Sequence, residues 1–140
     1  MNLKFRIKTY IKYILINLAA LISIILTFFL FKLLRLKKII DLVKNISLFF
    51  IKNFRKRVDF KSIFYLSNKM NENLGIDSCF RICISQKITL SIFGYDADVV
   101  CGVRSSNDKS IDGHAWIVYK GKPILKQNEK IDNYVKSFVI

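Results

Sequence analysis

Between Tyr13 and Phe31 the chain reads YILINLAALISIILTFFLF, 19 residues without a charge, a Gly or a Pro. As a helix rising 1.5 Å per residue this run would be about 28 Å long, close to the ~30 Å hydrocarbon core of a bilayer. A membrane span over 13–31 is therefore the first expectation. The alternative is a helix buried against partner helices, because FKLLRLKKIIDLVKNISLFFIKNF continues an amphipathic 3.6-residue pattern through Leu33, Leu34, Ile39, Ile40, Leu42 and Val43. Lys4, Arg6, Lys8 and Lys12 precede the run, and Lys32, Arg35, Lys37 and Lys38 follow it. Such flanks fit both fates, since long basic side chains snorkel or meet anionic head groups. A cleaved signal peptide would have a shorter apolar core and a small-residue cleavage site.

Charge divides the chain at about the same place as hydropathy. Met1 to Lys61 holds 14 Lys and Arg against Asp41 and Asp59, whereas Ser62 to Ile140 holds ten basic and eight acidic residues. The formal net charge of +14 thus belongs almost entirely to the front end, where KNFRKR at 52–57 follows the apolar segment. Nucleic-acid binding is the usual alternative for such basicity, but here the charges flank an apolar run and no recognition module accompanies them. The expected division is a hydrophobic, basic helical segment at 1–58 and a compact domain at 59–140.

The second part reads as α+β. DFKSIFYLSNKMNENLG predicts a helix N-capped by Asp59 and closed near Gly75. A second helix would be capped by Ser78, carry Ile82, Ile84, Ile88, Leu90 and Ile92, and stop at Gly94; its β-branched residues leave a strand open. ADVVCGVR at 97–104 and HAWIVY at 114–119 predict strands, and Lys120-Gly121 turns the latter into KPILK as a hairpin.

That order gives the three cysteines different meanings. Cys79 would open the Ser78-capped helix, where unpaired N–H groups and the positive end of the dipole stabilise a thiolate. Cys83, a turn further in, and Cys101, mid-strand, are positions where cysteine usually serves as a small apolar filler. Three cysteines and no cleaved signal peptide point to reduced thiols in a cytosolic compartment. His114 is the single histidine, placed at a strand start, and it can take the thiol proton if the helix packs across the sheet. Two other readings stay open: a zinc site of Cys79, Cys83, Cys101 and His114, or a histidine that merely caps a strand while Trp116 fills the core. Asp108 and Asp112, in the loop before His114, are expected to be solvated turn residues, with Asp96 and Asp98 equally ordinary.

CFRICISQKITLSIFGYDADVVCGVR, a gap, and GHAWIVYKGKPI together resemble the cysteine-protease subunit of lasso-peptide maturation, the microcin-type leader-peptide processing proteins of the transglutaminase-like superfamily. In that family a Cys opens a helix ending at Gly, a strand closes with Gly-Val, and His-Ala-Trp begins the next strand. Cys79, Gly94, Gly102, Val103, His114, Ala115 and Trp116 fall on these positions, over roughly the last 65 residues. Two positions depart from the pattern. The family's Arg stands three after the Cys, where this chain has Ile82 and places Arg81 one earlier. Its acidic group, about a dozen residues after the His, meets LKQNEK, with Lys126 nearest and Asn128 or Glu129 as the candidates to orient the imidazole.

The resemblance implies a papain/transglutaminase-like fold and a thiol peptidase without cofactor or metal, with Cys79 and His114 catalytic. Its substrate would be a ribosomally made precursor peptide, relieved of its leader. Its partners would be a separate leader-recognition protein and a cyclase; the uncharged run would make the chain a single-pass membrane protein, and ribosomal precursors and reduced thiols would place the catalytic domain in the cytoplasm. The alternatives are a membrane-tethered, non-catalytic scaffold of the same fold and another Cys–His acyl-transfer enzyme.

Overall fold

The computed structural model describes residues 3–105, 110–125 and 130–140, with side chains from residue 6 onward. Four helices come first: α1 Leu3–Leu33, α2 Leu36–Asn53, α3 Phe60–Asn73 and α4 Cys79–Ile92. Four strands follow: β1 Asp98–Ser105, β2 Ile111–Tyr119, β3 Lys122–Ile124 and β4 Val135–Val139. The second apolar segment is thus helical, resolving the helix-or-strand ambiguity at 79–92.

Helix α4 is the hub. Every residue from Ile82 to Ser91 is buried, with α1, α2 and α3 around it and β1 and β2 beneath. Complete removal of Ile84, Ile88 and Leu90 from water stabilises the fold by roughly 1.5–3 kcal/mol per side chain. The polar residues between Ile82 and Ser91 are buried as well, and each has an internal partner. Ser85 Oγ donates to Asn71 Oδ1 at 3.1 Å, Thr89 Oγ1 to the Ser85 carbonyl at 2.8 Å and Ser91 Oγ to the Lys87 carbonyl at 2.8 Å. Gln86 Nε2 donates to Asn68 Oδ1 at 3.4 Å, and Lys87 Nζ reaches the Ala97 carbonyl at 2.7 Å. Burial pushes the Lys87 ammonium below its ordinary range, opposed by Asp98 and Asp96.

The N-terminal helices build the same core. Ile16 and Leu30 of α1 and Ile39 and Val43 of α2 belong to one apolar cluster with Ile63, Ile84, Ile88, Val99 and Ile117. Segment 1–58 is therefore packed on 59–140. Arg6–Leu33 is long and apolar enough to cross a membrane by length and composition. The apolar pattern that reads continuously in the sequence is broken between α1 and α2 at Leu34 and Arg35, without Gly or Pro; Arg35 takes the extended cap conformation without a side-chain cap hydrogen bond.

Local signals account for the other helix ends. Asp59 caps α3, its Oδ1 accepting from the Ser62 N–H at 2.8 Å, while its Oδ2 accepts from Lys12 Nζ at 2.6 Å. These contacts, the Lys12 bond foremost, hold the Asp59 carboxyl well below the usual carboxylate range. Ser78 occupies the cap position of α4 but makes no side-chain cap bond. Gly94 follows α4 at φ +79°, and a Cβ there would collide with the Phe54 carbonyl oxygen.

The sheet is antiparallel in the order β3-β2-β1-β4. Lys120 and Gly121, at φ 51° and 74°, form the hairpin turn between β2 and β3. Strand β2 starts at Ile111, before the expected His114, and β4 was not anticipated. Strand β4 makes β1 central, with a register shift between Cys101 and Gly102.

Two substitutions test this account. Asp59→Ala should cost about 1 kcal/mol in denaturant unfolding, the usual worth of an N-cap. Because the folded carboxyl titrates below its unfolded value of about 3.9, this contribution is complete above that pH and disappears as pH falls through the folded pKa. Gly94→Ala should cost more than Gly75→Ala. Both have positive φ, worth about 1–2 kcal/mol against a side chain, but nothing lies within 4 Å of the Gly75 position.

Candidate functional site

Directly opposed residues in an antiparallel ladder share a face of the sheet. The β1–β2 register sets Cys101 against Ala115, Gly102 against His114 and Arg104 against Asp112. Cys101, Ala115 and Ile117 belong to the core beneath the helices. Asp112, His114 and Trp116 alternate onto the other face. Trp116 is buried there, against Gly102: a Cβ on Gly102 would lie 2.8 Å from Trp116 Cη2 and 3.0 Å from Tyr134 Cβ.

Cys79 is the first residue of α4 and is half-buried, whereas Cys83 and Cys101 are buried; all three thiols are free. Burial pushes the Cys101 thiol up to about 11, with Cys79 adding to the rise. Cys101 is thus kept protonated, as suits an apolar filler, and Cys79 stands beside it at the sheet. The four candidate zinc ligands are not gathered, since no three His, Cys, Asp or Glu among the described residues are placed to hold a metal ion.

Tyr134, at the entry to β4, links the two ends of the site. Its ring lies 5.4 Å from that of His114 and 6.3 Å from that of Trp116. Its hydroxyl donates to Asp112 Oδ2 at 2.8 Å. Burial and that hydrogen bond raise the phenol's pKa, and Cys79 lies near enough to raise it further. Tyr134 therefore touches His114 and also lies within electrostatic reach of Cys79.

Asp112 is a correction to the sequence reading, which gave it no chemistry in a solvated turn. It sits inside β2, two residues before His114 on the same face. Its carboxylate also accepts from Arg104 Nε at 2.9 Å, and the Arg104 guanidinium lies 4.8 Å from the centre of the Tyr134 ring. Tyr134, then Arg104, hold the Asp112 carboxyl below its ordinary range, with His114 contributing in the same direction. A carboxylate is thus within electrostatic reach of the imidazole. Sequence reasoning missed the group because Asp112 and Tyr134 are separated by 22 residues and share no motif. Asn128, Glu129, Lys126 and Asp108 lie outside the described residues. Arg81 caps the Phe31 ring at 5.3 Å, on the α1 side of α4.

A half-buried thiol opening a buried helix, packed on an antiparallel sheet that carries a histidine, is the frame used for acyl transfer through a thioester. No curated protein and no solved structure matches the chain. A sequence model of the transglutaminase-like superfamily, whose fold is generally of the cysteine-peptidase or acyltransferase type, matches residues 63–139. That match spans α3, α4 and all four strands, more than half of the chain, and the protein belongs to the transglutaminase-like superfamily.

Proposed function

We propose that the chain is a thiol peptidase in which Cys79 is the nucleophile and His114 the general base. The observation that carries this reading is the position of Cys79 as the first residue of α4, the helix packed on the strand that bears His114, within the matched superfamily region. His114 takes the thiol proton, and the sulfur attacks the scissile carbonyl. The C–N bond breaks as the imidazolium returns its proton to the amine, leaving a thioester that water then hydrolyses. Asp112, held by Tyr134 and Arg104, is the carboxylate nearest that imidazolium on its own strand.

The substrate we propose is the leader of a ribosomally made, lasso-type precursor peptide, with a separate leader-recognition protein and a cyclase as partners. The His-Ala-Trp and Gly-Val spacing supports this specificity. The front end would hold the enzyme at a membrane, with the catalytic unit in the cytoplasm, where precursors are made and thiols stay reduced. A second reading is a non-catalytic scaffold of the same fold. It is favoured by Lys126 at the family's acidic position and by the commitment of Asp112 to Arg104 and Tyr134.

Cleavage of the cognate precursor by purified full-length protein separates these readings. Cys79→Ala should abolish cleavage, while Cys83→Ala and Cys101→Ala retain most of it; equal rates in all of them would end the peptidase reading. Asp112→Asn and Tyr134→Phe should each lower kcat by at least about tenfold, less than the ~10⁴ lost with a dedicated orienting carboxylate. The loss should appear in kcat and in the shape of its pH profile, with KM little changed. Unaltered pH profiles in both variants would assign Asp112 and Tyr134 to architecture alone.

A further inference from the structure

Helix α1 is apolar on its outside, while its inside mixes buried aliphatics with small and hydroxylated side chains. Ile11, Ile14, Leu18, Leu21, Ile25 and Phe28 are 37–53% exposed, along one face of the helix. The opposite face, with Ala20, Ser23 and Thr27 between Ile16 and Leu30, is buried against the domain. A helix facing water keeps a polar outer face, and an apolar surface this long marks a binding face.

Helix α3 decides how that face can meet a bilayer. Lys12 of α1 is bonded to Asp59 at the start of α3, and Ile24, Thr27 and Phe28 line a small cavity with Asn71 near its end. Helix α3 therefore runs alongside the uncharged stretch of α1, and it exposes Lys61, Lys69 and Glu72. Were α1 to cross the membrane, α3 would carry those charges to hydrocarbon depth, where ionised side chains are strongly disfavoured. Placed parallel to the surface, α1 sinks only its outward face and leaves α3 in water.

Charge identifies the lipid. Helix α1 holds no acidic residue. On its outward side Leu15, Leu18 and Ile22 line a groove of about 780 Å³ with Phe50 and Phe54, and Arg55 and Arg57 stand among the same lining residues. A phosphate at the two guanidiniums would leave its acyl chain in the groove.

We infer that α1 lies in the plane of an anionic bilayer and does not cross it, with its Ile11–Phe28 face among the acyl chains and Arg55 and Arg57 at the phosphates. The inference rests on membrane attachment and is independent of the peptidase chemistry, so Cys79→Ala should leave it untouched.

The test uses the full chain and vesicles of phosphatidylcholine with or without 30 mol% phosphatidylglycerol. Flotation should be strong with the anionic lipid. Arg55→Gln/Arg57→Gln should weaken it roughly thirtyfold, as expected for two surface cations. Leu18→Glu/Ile25→Glu should abolish it while circular dichroism keeps the helical signal, since both side chains point away from the core. In sealed vesicles from expressing cells, Lys8→Cys and Lys37→Cys should be labelled by an impermeant maleimide from the same side, above the background of the unsubstituted protein. Labelling from opposite sides would show a spanning helix and overturn the inference. Equal flotation on neutral vesicles would overturn the anionic lipid, and a lipid-indifferent dimer would assign the face to a second copy.

Discussion

The fold depends on one desolvated helix. Residues 82–91 of α4 are buried on every side, and five of them are polar or charged. An unpaired buried polar group costs about 1–3 kcal/mol, so α4 is tolerable only if its surroundings satisfy each one. Asn68 and Asn71 of α3 and the Ala97 carbonyl before β1 do so from outside the helix. Helix α3 and the entry to the sheet are thereby tied to α4 by direction as well as by apolar contact. The same burial holds Cys79, the first residue of that helix, against the sheet, where its electrostatic influence reaches Cys101 and Tyr134.

What was legible in the sequence was what local chemistry controls. Asp59 caps α3, Gly94 ends α4 and Lys120-Gly121 turns a hairpin because each acts through its own backbone and nearest neighbours. Helix α4 was ambiguous for a physical reason: burial on all sides removes the 3.6-residue alternation that marks a surface helix, and Ile and Thr dilute its propensity. The break at Leu34 and Arg35 carries neither Gly nor Pro. Strand β4 is short, with every residue from Val135 to Val139 exposed, so it has no buried face to imprint a period of two.

The site shows the same division. Cys79 and His114 could be picked out one at a time, from a helix start and a motif. The Asp112–Tyr134–Arg104 group exists only once β1 pairs with β2 and the chain returns to begin β4. It fills the His114 side of the sheet end with a carboxylate, a phenol and a guanidinium, supported from below by Trp116 seated on Gly102. Gly102 matters there through what it lacks, since any side chain would meet both Trp116 and Tyr134.

The inner face of α1 has a thermodynamic consequence. Because Ile16 and Leu30 complete the core around α4, α1 is also part of the folded unit that carries Cys79 and His114. Any surface that binds α1 in its docked state withdraws it from the unfolded ensemble. By mass action, lipid at 100 times its dissociation constant would add about 2.7 kcal/mol to the stability of the whole unit. The chain would then be most resistant to unfolding and proteolysis while docked, and the Lys12–Asp59 clasp between α1 and α3 would transmit that dependence to the superfamily-matched half.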